Sequence, residues 1–227
     1  MIDFEIPEED RALLDSVDRM MAREFPPEAY RAADRAHETP WHLLPRMGEL
    51  GLLGLPFPAQ YGGMEKDWRS VALVNERLAY HAGIASTLFA TTVSFGGMSL
   101  LTYASEAQKN RWLPELIQGQ ARFALALTES GAGSDAAALT THARRTSEGW
   151  RIQGRKIWIS NADAAHHLVV VCRTTAGSTG GSGISLLLVP RHTPGITMTP
   201  LEKLGHHCMP SWDIGFDDVL VPEDALL

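Results

Sequence analysis

The stretch 124-ALALTESGAGSD-135 decides how this chain is read. An apolar, strand-like run stops at Thr128 and Glu129, and two glycines then flank Ala132 ahead of Ser134 and Asp135. Gly131 and Gly133 take side chains away, so successive backbone N–H groups can come close to a ligand. A concave row of amides of this kind suits an anion, a phosphate above all. Ser134 adds a hydroxyl donor, and Thr128 places a second at the end of the preceding strand. The spacing is neither that of a dinucleotide-binding turn nor that of a P-loop, and no helix of suitable length follows. On these residues alone, a plain turn and a ligand cradle are both open.

Outward from that stretch, the 227 residues suffice for one large domain or two small ones, and the net charge of -7 comes with no basic patch. Nucleic acid and an anionic membrane are therefore not expected as partners. Cys172, inside "LVVVC", reads as a buried free thiol, and two cysteines make no disulfide framework. The acidic start "MIDFEIPEEDRALL" lacks an apolar core and reads as neither a secretory signal nor a transit peptide. No apolar stretch reaches the roughly 18 residues of a membrane span. A reducing cytoplasm is the expected compartment.

Residues 1–119 carry helical periodicity. Leu13, Leu14, Val17, Met20 and Met21 recur at helical spacing behind the acidic residues Glu8, Glu9 and Asp10. In "ETPWHLLPRMGELG", Thr39 is a candidate cap, Pro40 the first helical residue, Pro45 a bend and Gly51 the stop. Residues 68–101 are mostly apolar with a break at Gly83, which suggests helices central to a bundle. Ser105 and Gln108 form a capping-box pattern, Trp112, Leu113, Leu116 and Ile117 the buried stripe behind it, and Gly119 the stop.

From residue 120 to 227 the period changes to short β-rich runs. These are "RFALALT", "THARRTS", "WRIQGRKIWIS", "HHLVVVCRT", "GISLLLVP", "GITMTPL" and "WDIGFDDV". "SEG" at 147–149 and "QG" at 153–154 read as hairpin turns, and "TTAGSTGGSG" at 174–183 as a flexible surface connection. The fold class is α+β: an all-helical domain over 1–119, then an all-β barrel- or sandwich-like domain over 120–227.

A second element could complete a site with the glycine loop. In "KIWISNADAAHHLVVV", Trp158 stands in a strand ahead of Ile159, Ser160 and Asn161. An indole could lie on a flat heterocycle while a neighbouring hydroxyl bonds a ring nitrogen. A core tryptophan followed by a Ser-Asn turn is the plainer alternative.

Taken together, "ALTESGAGSDAAA" and "GWRIQGRKIWISNADAAHHLVV" resemble the acyl-CoA dehydrogenase family. "LPFPAQYGGM", "TYASEAQKNRWLPELIQGQ" and "LEKLGHHCMPSWDIGFDDVLVPEDALL" are similar to further family segments in the same order, so the likeness covers nearly the whole chain. The resemblance implies FAD as cofactor, with Leu125, Leu127, Thr128, Gly133, Ser134, Trp158, Ile159 and Ser160 as its binding residues. Thr128 would bond near the pyrimidine end of the flavin, Trp158 would pack on the ring, and Ser160 would stand beside flavin N5. Ser134 would also touch the substrate, an acyl-CoA or another acyl thioester.

Three positions depart from the family pattern: Ser130 stands for proline, Ser160 for threonine and His207 for arginine. The pair His206–His207 beside Cys208 is weak as a metal site, because no further spaced ligand accompanies it. The resemblance further implies that the catalytic base is a glutamate in a C-terminal four-helix domain with no counterpart in these residues. No catalytic residue is nominated, and Glu129 belongs to the loop motif. The expectation is a fragment, or a subunit of a homo- or hetero-oligomer, passing electrons to an acceptor such as an electron-transfer flavoprotein. A flavin monooxygenase of the same fold and a non-catalytic scaffold are the alternatives. Without a further domain, the apolar helices within 68–101 should lie partly bare.

Overall fold

A computed structural model describes residues 5–227. The first four residues of the acidic start therefore lie outside the described part. Seven α-helices come first: α1 (Glu8–Glu24), α2 (Pro27–Ala36), α3 (Leu43–Glu49), α4 (Trp68–His81), α5 (Gly83–Ala90), α6 (Met98–Tyr103) and α7 (Glu106–Ile117). Seven strands follow: β1 (Phe123–Ala126), β2 (His142–Thr146), β3 (Gly149–Ser160), β4 (His167–Arg173), β5 (Ile184–Pro190), β6 (Ile196–Leu201) and β7 (Ser211–Val221). Helices then strands is the α+β order that the change of period predicts.

α1 buries Leu14, Val17, Met20 and Met21, the stripe that its spacing picks out. Ser105 caps α7 as foreseen: its hydroxyl accepts from the Gln108 N–H while the Gln108 side chain accepts from the Ser105 N–H. The same Gln108 amide donates to the carbonyls of Asp224 and Leu226, tying the last strand's exit to the helix start. Ser105→Ala is therefore expected to cost about 1 kcal/mol, a fall in Tm of roughly 2–4 °C for a chain of this size. Calorimetry checks this, and an unchanged Tm would mean that the cap carries no stability.

Two expectations in the helical part need correction. Thr39 caps no helix; its hydroxyl donates to the Cys208 carbonyl, the helix starts at Leu43, and Pro45 sits in the first turn, where its missing N–H costs nothing. The break at Gly83 is real, because Ala82 is extended between α4 and α5. Beyond it, however, α5 runs through a π-helical segment (Thr91–Gly97) into α6. The resulting Gly83–Tyr103 rod has 21 residues and is long and apolar enough to cross a membrane, contrary to the reading that no stretch is. Half of it is buried in the protein. Within the 68–101 stretch expected to lie partly bare, Phe95 on the rod and Trp68 and Tyr80 on α4 are exposed.

In the strand half, β4 pairs with β5 along one edge. Along the other edge it pairs in parallel with β1 from His167 to Val170 and meets β2 only at Arg173. β1 and β2 thus share one strand position, interrupted by the glycine loop. β2, β3, β7 and β6 then continue antiparallel. "LVVVC" is apolar without alternation because both faces of β4 are covered. Val169 belongs to the core shared with the helices, while Leu168, Val170 and Cys172 belong to a second core with Ile152, Phe216 and Val219. Both cysteines are buried and free, and burial pushes the Cys172 thiol up to about 12.

The SEG turn joins β2 to β3, but "QG" at 153–154 is no turn. Gly154 lies inside β3 at a register shift, with φ +150, and a Cβ there would stand 2.5 Å from the Thr141 hydroxyl. The glycine permits a close strand crossing that composition alone mimics as a hairpin.

Candidate functional site

β3 contains a second irregularity. Lys156 faces Ile214 and Ile159 faces Trp212, so one extra residue is inserted between these pairs. Trp158 absorbs it with φ +63, a region costly for an aromatic residue, and the residue is 53% exposed. The core-tryptophan alternative is thereby overturned: the bulge turns the indole outward. Outliers of this kind persist only where the surroundings hold them, and they gather at functional sites.

The exposed indole borders a cavity of about 190 Å³ between the sheet and the helical rod. Leu125, Leu127, Thr128, Trp158, Ile159 and Ser160 all line it. Gly133 and Ser134 do not; they lie on the exposed loop outside. The sequence reading missed the opposite wall, where the π-helical segment and α5 bring Leu88, Thr91, Thr92 and Phe95, with Trp41 and Arg122 beside them. Arg122 donates to the Ala164 carbonyl at 2.8 Å, with its guanidinium 5.1 Å from the Trp41 ring centre. Asn161 also lines the cavity, with φ +55 and a buried Oδ1 that has no hydrogen-bond partner.

The loop itself is closed at its neck by charge. The Glu129 carboxylate accepts from the Thr140 N–H and hydroxyl, both at 2.7 Å, and from the Thr141 N–H at 2.9 Å. Lys156, fully buried, donates to the same carboxylate and to the Leu127 carbonyl, both at 2.8 Å. Burial alone would raise the Glu129 pKa, but the donors from Lys156, Thr141 and Thr140 outweigh it and hold the group down at about 2. Burial pushes Lys156 down from its usual value, and Glu129 pulls it back up. A signal for this pair was present in the sequence: the period-2 pattern of β3 puts Lys156 on the inward face with Ile152 and Gly154, and an inward lysine demands a partner.

The loop's other leg is held by Arg173, which donates to the Leu139 carbonyl at 2.9 Å and to Ala137. Between the legs, a Cβ added at Gly131 or Gly133 would meet nothing within 4 Å. Neither glycine is demanded by a positive φ or by internal packing, so the cleared space faces outward. The site therefore fits a flat heterocycle: an aromatic face, apolar walls, hydroxyls at Thr128 and Ser160, an orphan polar atom at Asn161, and an uncluttered loop beside it.

The His206–His207 segment is held otherwise. Lys203 donates to the carbonyls of His206 and Met209, the Cys208 N–H donates to Asp34, and His207 stacks on His37 at 4.7 Å. Among the described residues no three His, Cys, Asp or Glu converge as a metal site.

Comparison with known proteins agrees with this fold. Residues 7–120 match the acyl-CoA dehydrogenase N-terminal domain, and residues 124–219 match the middle domain. A probable acyl-CoA dehydrogenase of Bacillus subtilis is 36% identical over the whole chain, which spans 60% of that protein. The structure of a glutaryl-coenzyme A dehydrogenase in complex with glutaryl-CoA superposes with a TM-score of 0.93 at 31% identity, over all of this chain and 58% of that one. A glutaryl-CoA dehydrogenase from Mycobacterium smegmatis in complex with FADH2 gives 0.88 at 28% identity, over 97% of this chain and 55% of that one. The chain thus spans a little over half the length of the relatives it matches, and it belongs to the acyl-CoA dehydrogenase family.

Proposed function

We propose that this chain forms the FAD- and acyl-thioester-binding part of an acyl-CoA dehydrogenase. The observation that carries the reading is the Trp158 bulge, which spends backbone strain to set an exposed indole beside the end of β1. Bound there, FAD supplies the two-electron acceptor for α,β-dehydrogenation of an acyl thioester. Leu125, Leu127 and Ile159 would wall the ring system, Trp158 would cover a face, and Thr128 and Ser160 would bond its polar edge. Gly133 and Ser134, on the outer loop, would serve the extended parts of the cofactor and the CoA moiety.

The residues lining the cavity include no Asp, Glu or His. A base must stand within hydrogen-bond reach of the proton it takes. We propose that the base is a group that does not line this cavity, supplied by a further domain or by a partner subunit. An electron-transfer flavoprotein is the proposed acceptor.

The reading is tested by visible absorption of the purified chain and by melting with added FAD. A ligand at about 100 times its Kd stabilises by roughly 2.7 kcal/mol, which is a shift of roughly 5–10 °C at this length. A colourless chain whose Tm does not move would sink the claim that these residues suffice. Gly133→Val offers a finer check. With nothing within 4 Å of the new Cβ, the apo protein should melt as the wild type does. Its affinity for FAD or acyl-CoA should fall on the order of tenfold, the equivalent of about 1.4 kcal/mol. Titration calorimetry on the variant reads this, and unchanged affinities for both ligands would clear the loop of a binding role.

A further inference from the structure

We propose that Lys156 and Glu129 act as the positioning pair of this site, fixing the end of β1, the neck of the glycine loop and the Trp158 bulge in one mutual arrangement. The inference rests on the flavin reading above and adds to it residues that line no part of the cavity.

Three segments converge on the pair. Lys156 holds the Leu127 carbonyl, whose own side chain lines the cavity. Glu129 gathers the returning leg through Thr140 and Thr141. One residue past Lys156, the Ile157 N–H donates to the Thr128 carbonyl at 2.9 Å, and the next residue is the bulged Trp158. Every link is a directional hydrogen bond, so the pair constrains orientation as well as distance.

Stability alone does not call for this chemistry. Apolar residues of similar volume commonly replace a buried ion pair without loss of stability, whereas removing one partner leaves the other charge stranded. An apolar pair would fill the same space and still leave the loop legs and the bulge free to shift. Stability and positioning are thus two roles that a single substitution would confuse.

The test compares wild type, Lys156→Met, and the double variant K156M/E129L as full chains. Each is followed by thermal unfolding, by FAD titration and by acrylamide quenching of Trp158, taken as the difference from a W158F partner in each background. The double variant is expected to recover most of the melting temperature lost by the single variant. Its FAD affinity should nonetheless be weaker by about tenfold or more, the scale of one lost charged hydrogen bond, with altered Trp158 quenching. Recovery of both stability and affinity would overturn the proposal and leave the pair a packing device.

Should the double variant fail to fold, Glu129→Asp takes its place, keeping the charge and shortening its reach. A folded E129D with wild-type affinity and quenching would equally overturn the proposal. If the wild-type chain binds no FAD, the claim that these residues suffice for the flavin fails on its own account. The positioning role is then judged by Trp158 quenching, and unchanged quenching in the variant refutes it.

Discussion

Lys156→Met alone is expected to destabilise the chain by about 3–5 kcal/mol, because it strands a carboxylate that is only 7% exposed. For a protein of this length that is a fall in Tm of roughly 6–20 °C. The loss should depend on pH. In the wild type, Glu129 is held at about 2 against a usual 4.5, so it binds fewer protons folded than unfolded between those values. Its contribution is complete above pH 4.5 and disappears as the pH falls towards 2, amounting to about 3 kcal/mol at most. In the variant the lysine no longer favours the carboxylate, and protonation relieves the stranded charge. The difference between variant and wild type should therefore narrow from pH 7 to pH 4 in urea titrations. A gap that stayed constant across that range would mean that the ion pair is not its source.

Trp158→Gly should separate binding from stability in the opposite way. The indole is half exposed, so little buried area is lost, and glycine accepts φ +63 at no steric cost. Relief of about 1–2 kcal/mol of left-handed strain is offset by the roughly 0.5–1 kcal/mol of extra chain entropy that glycine brings. The Tm should move by only a few degrees in either direction. Flavin affinity should fall about 10–100-fold, taking the 1–3 kcal/mol of an aromatic stack on a planar base as the guide. If W158G retained FAD as well as the wild type, the ring would not be a contact; if it melted far lower, the residue would be a packing one after all.

Much of the architecture is legible in the sequence because it is local. All seven β-rich runs become strands, the Ser105–Gln108 box caps its helix, and Gly119 turns the chain with φ +72. Six of the eight nominated site residues meet at one cavity because they flank two strand ends in the same sheet. The misreadings have a common physical origin in contacts distant along the chain. Thr39 has the right type for a cap, yet a carbonyl 169 residues away takes its hydroxyl. Gln153–Gly154 has turn composition, yet Gly154 serves a crossing with Thr141. The π-helical segment that supplies the far wall has no composition of its own, and the bulge at Trp158 follows from its register against β7.

The shared strand position of β1 and β2 has a consequence for how such a protein can vary over generations. Register errors are severe in a half-buried sheet, since slipping by one residue turns every side chain to the wrong face. Here the two half-strands are anchored to different neighbours, β1 to β4 and β2 to β3, and the legs between them are pinned by Lys156 and Arg173. Residues inserted or lost between the pins alter the loop without moving either anchor. Lineages can thus retune what the loop touches while inheriting the sheet intact, and an engineer can graft a foreign loop at the same two points.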